Sequence, residues 1–371
     1  PNIPIIGVEL YDINEEYSWE KIIKEDFPEI KFKFPKLSDT HTIIYTSGTS
    51  GEPKGVIHSV ENFVNSLQTI QKIINIPKHP RLFSYLPLVH VAERVIWTYG
   101  LTIGAQFSYP ESLATFAKDL ERTQPHAFFA VPRIWVKFQE IVLSKISQKR
   151  LNWILKTPIL NNFFISKLKQ KLGLKQAEIV ISGAAPVSVD VINWYKAIDI
   201  EIFQIYGMTE DCCISHFNLP PNNKIGTVGK KLPGVKTKIS EEGEILIKNN
   251  CLMKGYYKNP ELTAKTFDEK GYLKTGDKGA YDNDGNLTIT GRIKDRFKTD
   301  KGKYISPSPI ELVISKNPNV EQVCVVGTGL PHPIALVTIS EFGNSNSSFV
   351  LSNSLIDTIH QLNFQLEKHE E

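Results

Sequence analysis

Cysteine is scarce in this sequence. Four occur among 371 residues, and no two have Cys-x-x-Cys spacing: Cys212, Cys213, Cys251 and Cys324. Four thiols placed in this way are too few for a disulfide scaffold, which excludes the small secreted folds that depend on one. The pattern is typical of the reducing cytoplasm, and we expect a cytoplasmic location.

Long apolar runs and an excess of one charge are also missing. No apolar stretch reaches the ~20 residues that a membrane-spanning helix needs. The 43 Lys and Arg residues against 40 Asp and Glu residues give a net charge of +3, which does not favour nucleic acid as a partner. The chain begins at Pro1 without a signal peptide, and we expect it to be part of a longer protein, incomplete at both ends.

What the sequence does contain is an alternation of strand-like and helix-like segments. A chain of 371 residues is longer than one that usually folds around a single hydrophobic core, which predicts two or more domains. Between residues 41 and 207, short apolar runs alternate with amphipathic runs, which predicts a doubly wound, largely parallel sheet of the α/β class. After Pro220 the strands are short and separated by turns, so an antiparallel β region is expected.

One segment, YTSGTSGEPKG at residues 45–55, is typical of a phosphate-binding loop. It departs from the Walker pattern because Lys54 lies between Pro53 and Gly55. A predicted strand (residues 41–48) precedes it and a predicted helix (residues 55–74) follows it, as in phosphate-binding α/β folds. Backbone N–H groups, hydroxyls and the lysine could surround an oxyanion, and a plain Gly/Ser connector is the alternative.

Three further segments carry candidate chemistry. ISGAAPVS (residues 181–188) ends a strand in small residues that let a flat ring approach, although for this segment alone a tight turn is the better explanation. QIYGMTED (residues 204–211) offers an aromatic ring, a hydroxyl and the carboxylate of Glu210, which suits Mg²⁺. In residues 271–311, Asp277 at a predicted strand end could accept from ribose hydroxyls.

Together, YTSGTSGEPKG, SGAAP, YGMTE, YLKTGD and GRIKDRFKT resemble, in order and separation, the motifs of the acyl-adenylate-forming (AMP-binding) ligases. The resemblance covers about residues 41–340. Three stretches favour the long-chain fatty-acid–CoA ligases within it: SYLPLVHVAER, FFAVPRIW and FKTDKGKYISPSPIE. It implies a large domain of doubly wound α/β layers at residues 1–294, with a β subdomain at about 221–294. A hinge at Lys294 would then lead to a partial, mobile α+β C-terminal domain at residues 295–371.

The resemblance implies a two-step reaction with ATP, Mg²⁺ and coenzyme A. A fatty-acid carboxylate would attack ATP to give acyl-AMP and pyrophosphate, and the coenzyme A thiol would then displace AMP to give a thioester. A carboxylate is a poor electrophile, and adenylation supplies it with a good leaving group. The task of the protein is to neutralise phosphate charge and to hold the attack in line.

The resemblance also implies a role for each motif residue. The phosphates would be held by residues of the glycine-rich loop: Thr46, Ser47, Gly48, Thr49, Ser50, Gly51 and Lys54. The adenine site would be formed by Gly183, Ala184, Ala185, Tyr206 and Gly207. Thr209 would contact the α-phosphate, Glu210 would bind Mg²⁺, and Asp277 and Arg292 would hold the ribose. Gly302, Lys303 and Tyr304 would belong to the face presented for thioester formation.

Two segments leave alternatives open. His90 would border the acyl pocket as a gate, and a structural histidine is the alternative. Residues 137–175 carry nine Lys or Arg residues and one acidic residue, Glu140, together with Trp153, Phe163 and Phe164. Such a segment favours peripheral contact with an anionic membrane, and an ordinary solvated helix pair is the alternative.

The chain departs from the family pattern near both ends. The part before residue 41 is shorter than in the family, and the C-terminal adenylation lysine is not matched, because the surroundings of Lys368 differ. We therefore expect these residues alone to bind ATP or AMP and to adenylate poorly. Two other functions stay open: an acyl-AMP ligase that delivers to a carrier protein, and a non-catalytic nucleotide- or acyl-binding module.

Overall fold

The computed structural model describes residues 6–7, 17–25, 33–47 and 52–364. Its strands are β1 Ile6–Gly7, β2 Tyr17–Ser18, β3 Thr40–Ser47, β4 Pro53–Ser59, β5 Arg81–Phe83, β6 Gln106–Ser108, β7 Ala127–Ala130, β8 Ile179–Ser182, β9 Ile202–Tyr206, β10 His216–Phe217, β11 Lys230–Lys231, β12 Lys236–Ile239, β13 Glu244–Lys248, β14 Gly255–Tyr256, β15 Leu273–Tyr281, β16 Leu287–Arg292, β17 Phe297–Lys298, β18 Tyr304–Ile305, β19 Val320–Val326 and β20 Ile334–Ile339.

The helices are α1 Trp19–Ile22, α2 Val60–Ile73, α3 Val91–Thr102, α4 Phe116–Thr123, α5 Pro132–Lys145, α6 Gln148–Leu155, α7 Pro158–Lys171, α8 Val189–Ala197, α9 Pro260–Thr266, α10 Pro307–Ile314, α11 Glu341–Asn344 and α12 Ser348–Asn363. Within the described ranges, no helix combines the length and the apolar character that crossing a bilayer requires.

The chain divides into two compact units, Pro1–Lys36 and Leu37–Glu371. In the first unit, β1 and β2 pair in parallel and α1 follows β2 directly. The second unit contains all the remaining elements and is described below.

A seven-stranded sheet of order β11-β10-β9-β8-β7-β5-β6 organises the second unit. Strands β5 to β9 are parallel, and β10 and β11 add an antiparallel edge. Alternate side chains face opposite ways: Phe128 packs against Trp135 of α5, whereas Ile181 belongs to the cluster that contains Phe63 of α2 and Val95 of α3. Helices cover both faces, which confirms the predicted doubly wound α/β sheet.

The segment that follows the glycine-rich loop corrects the prediction. Residues 53–59 form strand β4, not the start of a helix, and β4 pairs antiparallel with β3 so that Thr46 lies opposite Lys54. Strand β14 pairs with the other edge of β4. Burial along β4 does not alternate with period two, and such a short run cannot be told from a helix by periodicity. Ser59 ends the strand and starts α2 at Val60 through a capping box with Asn62.

The antiparallel region predicted after Pro220 is confirmed as a sheet of order β12-β13-β15-β16. Asp277 was predicted at a strand end, and that prediction is wrong, because Asp277 lies within β15. The strand is bent there, since Gly276 has a φ of +75° and the pairing with β16 shifts between Lys278 and Gly279. Next to this glycine, the Asp277 carboxylate accepts from the hydroxyl of Tyr206, the last residue of β9.

The last part of the chain builds its own small core. Strands β19 and β20 pair antiparallel, and Ile310 and Ile314 of α10 pack with Leu362 of α12. Two ion pairs connect this part to the large sheet's helices: Arg133 with Glu321, and Lys316 with Asp190 at 3.1 Å. Both pairs are exposed, so each contributes at most about 1 kcal/mol. Lys294 lies between β16 and β17, and its hinge role stays a prediction.

Candidate active site

A cavity of about 1630 Å³ lies at the carboxyl ends of β7, β8 and β9. This is where ligands bind in open parallel sheets. Residues from all the predicted motifs line the cavity: Thr46, Lys54, His90, Ala184, Ala185, Tyr206, Gly207, Thr209, Glu210, Asp277, Arg292 and Lys294. Thr46 and Lys294 are 248 positions apart in the sequence, and the fold brings both to the wall of this one cavity.

The remaining predicted site residues divide into two groups. Gly48, Thr49, Ser50 and Gly51 are outside the described residues, and of Ser47 only the backbone, at the end of β3, is described. Gly183 and Lys303 are described and are not among the residues that line the cavity. A Cβ at Gly183 would come 2.7 Å from Cγ2 of Ile205, so this glycine permits close packing between the ends of β8 and β9. Lys303 lies exposed in the turn between β17 and β18.

Asp277 is held from two sides at one end of the cavity. The Tyr206 hydroxyl donates to Oδ2 of Asp277 at 2.7 Å, and Nε of Arg292 donates to Oδ1 at 2.9 Å. Burial, and then the charge of Asp277, raises the pKa of Tyr206, so the hydroxyl stays protonated and donates. Each carboxylate oxygen keeps a second acceptor position. The carboxylate can therefore accept from a diol while it remains fixed.

The turn after β9 carries Thr209 and Glu210. The chain passes Gly207 and forms a short 3₁₀ turn at Thr209–Asp211, and Oδ1 of Asp211 accepts from the Met208 N–H at 2.8 Å. Cys213 then folds back over Gly207, where a Cβ would lie 2.5 Å from the Cys213 Cα. Glycine is required at this position because the backbone of Cys213 occupies the space of any side chain.

His58 supports this turn from β4. Its Nε2 lies 2.7 Å from the Thr209 carbonyl oxygen, and its Nδ1 lies 3.4 Å from Sγ of Cys212. A carbonyl can only accept, so Nε2 carries the proton. Burial lowers the pKa of His58, which keeps the ring neutral with Nδ1 as an acceptor for the thiol. Strand β4 thus carries Lys54 near its start and, through His58 near its other end, supports the turn that presents Thr209.

Glu210 is fixed through both its backbone and its side chain. Its carbonyl oxygen accepts from the Met253 N–H at 2.8 Å, and its Oε1 accepts from the Tyr256 hydroxyl at 2.7 Å. The Tyr256 ring also lies beneath the Lys54 ammonium, with Nζ 5.5 Å from the ring centroid. Tyr256 therefore contacts both the predicted metal ligand and the predicted phosphate-binding lysine.

The donor set fits a magnesium ion that arrives with a nucleotide. Mg²⁺ in proteins is usually bound by one or two carboxylates together with phosphate oxygens. Glu210 supplies one carboxylate at the cavity wall. Over the described ranges, no group of three His, Cys, Asp or Glu side chains could hold a metal ion by itself. Phosphate oxygens would have to complete the coordination.

An apolar arm extends the same cavity between the sheet and two helices. Its walls come from α2, α3 and the sheet: Ile70, Ile73, Val91, Val95, Ile96, Tyr99, Phe129, Ile181 and Ile205. His90 is the N-cap of α3, and its Nδ1 accepts from the Ala92 N–H at 3.2 Å. Its pKa is lowered by burial. His90 thus has the structural role that was left open, and it also lines the cavity.

Three of the four thiols surround the Thr209–Asp211 turn. Cys212 and Cys251 are buried and Cys213 lines the cavity, and burial raises the pKa of each. Cys324 on β19 is exposed. The thiols near the site are therefore neutral packing groups rather than nucleophiles.

Sequence reasoning missed three residues that support the site. His58 and Tyr256 hold the Thr209–Glu210 turn, and Oε1 of Glu244 accepts from the Gly276 N–H at 2.8 Å beside Asp277. His58 lay in a predicted helix, which concealed its position. Tyr256 reaches Glu210 only because β14 pairs with β4, about 200 residues away in sequence, and no local pattern indicates that pairing.

The sequence was compared with known families and curated proteins. Residues 5–257 match the family described as AMP-binding enzyme, and residues 294–371 match the AMP-binding enzyme C-terminal domain. A putative fatty-acid–CoA ligase of Mycobacterium tuberculosis is 32% identical over 330 residues, which cover 81% of this chain and 58% of the relative. Long-chain-fatty-acid–CoA ligase 5 of Mus musculus is 32% identical over 358 residues, with 87% and 52% covered. The chain spans about half the length of these curated relatives.

Solved structures share the fold. The o-succinylbenzoate CoA synthetase of Bacillus subtilis, in complex with an acyl-adenylate, superposes with a TM-score of 0.74 at 23% identity, covering 95% of this chain and 68% of that chain. An adenylation and carrier didomain of the carboxylic acid reductase of Segniliparus rugosus, in complex with AMP, gives a TM-score of 0.75 at 22% identity, with 95% and 51% covered. At these identities the likeness supports the α/β fold with a large and a small domain.

Proposed function

Because the chain belongs to the AMP-binding enzyme family, we propose that its protein activates a long-chain fatty acid with ATP and transfers the acyl group to coenzyme A. The observation that carries this proposal is the continuity of the cavity. One space joins the Asp277, Glu210 and Lys54 side chains to an arm of isoleucine, valine and aromatic side chains. A substrate that fits both ends has a polar nucleotide joined to an apolar tail.

The residues have separate tasks in the first step. Lys54 and the hydroxyl of Thr46 would orient the departing pyrophosphate, and Thr209 would contact the α-phosphate. Magnesium bound at Glu210 would neutralise phosphate charge. Asp277 and Arg292 would fix the ribose, so that the carboxylate of the fatty acid approaches in line. Rotation at Lys294 would then bring Lys303 toward the site for thioester formation.

The test is formation of AMP from ATP by the full-length protein across fatty acids of increasing length, with and without coenzyme A. We expect AMP to appear only with a fatty acid, and an acyl-CoA product when coenzyme A is present. An acyl-adenylate that passes to a carrier protein but not to free coenzyme A would favour the carrier-protein alternative. Nucleotide binding without AMP formation for any acid would favour a non-catalytic module.

We also propose that helices α6 and α7 bring the protein to an anionic membrane surface. Trp153, Leu160 and Phe163 have exposed fractions of 61%, 46% and 72%. Lys149 on α6 and Lys156, the C-cap of α6, flank Trp153 at helical spacing, and on α7 Lys167 follows Phe163 by one turn. Exposed aromatic side chains between lysines are typical of interfacial helices, whose charged ends reach anionic headgroups. A fatty acid would be available at the same surface.

Sedimentation with lipid vesicles tests this contact. We expect binding to vesicles that contain phosphatidylglycerol, weaker binding at high salt, and loss of binding in Trp153→Ser/Phe163→Ser. Phe349→Ser is the matched control, because Phe349 is 75% exposed but lies on α12. Equal binding of the double variant and the wild type, or no binding to anionic vesicles, would leave α6 and α7 as an ordinary solvated helix pair.

A further inference from the structure

Tyr256 occupies the space between the two charged groups of the phosphate end of the cavity. Its hydroxyl donates to Oε1 of Glu210 at 2.7 Å, and its ring lies under the ammonium of Lys54 at 5.5 Å. Tyr256 itself is only 7% exposed. It lies beside two groups that are predicted to touch the nucleotide, and it lines the same cavity.

The backbone of Tyr256 is fixed by its neighbours. It pairs with Val56 of β4, and its N–H donates to Oγ1 of Thr263 at 2.9 Å. Gly255 has a φ of +148°, and a Cβ there would lie 2.8 Å from Cγ2 of Thr263, so α9 packs closely against this strand. The ring packs in a small apolar cluster with Val56, Met253 and Leu273. The hydroxyl therefore points at Glu210 from a rigid support.

The hydrogen bond leaves one carboxylate oxygen for a cation. Oε1 of Glu210 accepts from Tyr256, and among the hydrogen bonds and ion pairs of the described residues none involves Oε2. An ionised carboxylate can only accept, so the Tyr256 hydroxyl is the donor in this bond. Partners of this kind orient metal-binding carboxylates, and their loss typically lowers metal affinity by about 10- to 100-fold.

We propose that Tyr256 is a positioning residue. It holds the Glu210 carboxylate for Mg²⁺ and fixes the position of that carboxylate relative to the Lys54 ammonium. The inference rests on the proposed nucleotide site, and it deepens it by naming the group that aligns the metal ligand. Although Tyr256 also lines the cavity, the role proposed for it needs no contact with nucleotide or ion. Its effect passes through the orientation of one carboxylate and through the face it offers to one ammonium.

The test is Tyr256→Phe, which removes the hydroxyl and keeps the ring that packs in the cluster. We expect the affinity for ATP, measured by calorimetry, to fall by roughly ten-fold in the presence of Mg²⁺ and to stay at the wild-type value in EDTA. The free Mg²⁺ concentration for half-maximal AMP formation should rise by a similar factor. Tyr257→Phe is the matched control, since Tyr257 is 42% exposed and contacts Lys258 instead.

A double-mutant cycle separates this role from packing. If Tyr256 acts through Glu210, Tyr256→Phe should add no further loss in a Glu210→Gln background. An equal loss of ATP affinity with and without Mg²⁺, or an equal loss in both backgrounds, would overturn the inference, as would wild-type behaviour of Tyr256→Phe. The calorimetry needs no fatty acid. A failure to form AMP with any acid would therefore count against the proposed function alone.

Discussion

The hydroxyl of Tyr206, at the end of the parallel strand β9, donates to Oδ2 of Asp277 in the antiparallel strand β15 at 2.7 Å. This hydrogen bond joins the two main sheets at the rim of the cavity. Arg292, which lies opposite Asp277 in the pairing of β15 with β16, holds the other carboxylate oxygen. The candidate ribose site is therefore a junction between sheets.

Asp277→Asn should weaken AMP binding. The amide keeps the size of the side chain but loses the charge that pairs with Arg292 and accepts from a diol. We expect a loss of about 1.5–3 kcal/mol in binding free energy, the range for hydrogen bonds to charged groups, measured by calorimetry with AMP. Asp284→Asn, in the turn between β15 and β16, should bind AMP as the wild type does. Equal affinities of both variants would contradict the ribose role.

His90 has two candidate roles that substitution can separate. His90→Ala removes the N-cap of α3 and should lower the free energy of unfolding by about 1 kcal/mol, whereas His90→Asn keeps a capping acceptor and should lower it less. Both variants change the wall of the apolar arm, so both should change the KM for fatty acid. Ser147→Ala, which removes the cap of α6, should affect stability alone. If His90→Asn restores both quantities, His90 is only a cap.

Gly207→Ala should disturb the turn that carries Thr209 and Glu210. The added Cβ would lie 2.5 Å from the backbone of Cys213, and neither backbone can yield without moving the turn. We expect a loss of stability of about 1–3 kcal/mol, the usual range for overpacking, with a raised KM for ATP. Gly285→Ala is the control, because its φ of +82° is strained but nothing lies within 4 Å of the new Cβ. That variant should lose stability without a change in KM.

His216 should make stability depend on pH. It is fully buried, its Nε2 lies 2.8 Å from the Tyr281 hydroxyl, and burial, followed by the charge of Lys231, lowers its pKa from 6.5 to about 4. The unfolded chain therefore takes up a proton at a higher pH than the folded protein does. The free energy of unfolding therefore has its full value above pH 6.5. It falls by up to about 3 kcal/mol as the pH falls toward 4.

Urea unfolding from pH 7 to pH 4 would measure this dependence. The wild type should lose more stability over that interval than His216→Gln does. His332→Gln is the matched control, because His332 is exposed and its removal should leave the wild-type slope. Parallel curves for the wild type and His216→Gln would show that His216 does not carry the effect.

Local patterns were enough to predict the sheet of alternating strands and helices. The order of the motifs was enough to predict that Lys54, Glu210 and Asp277 belong to one site. The secondary-structure prediction was wrong for β4, the middle strand of its sheet. Residues 55–59 were predicted as the start of a helix, but they belong to β4, which pairs with β3 and β14 and whose burial does not alternate. Only Ser59 indicates where the helix begins. The bend at Gly276 also escaped prediction, since a glycine within a strand does not by itself reveal its φ.

The supporting residues could not be predicted for another reason. His58 and Tyr256 act through contacts between β4, β14 and the turn after β9, and each of those contacts depends on the complete fold. Sequence spacing predicts which residues share a face of one element. It does not predict which distant element lies opposite that face.

The distribution of the four thiols has a practical consequence for measuring conformational change by site-specific labelling. Alkylating reagents attack thiolates, and the raised pKa values of Cys212, Cys213 and Cys251 protect those three groups. Cys324, exposed on β19, is left as the natural attachment point for a fluorescent dye. A label at that position would report on the small C-terminal part of the chain, beyond Lys294, without any engineered cysteine.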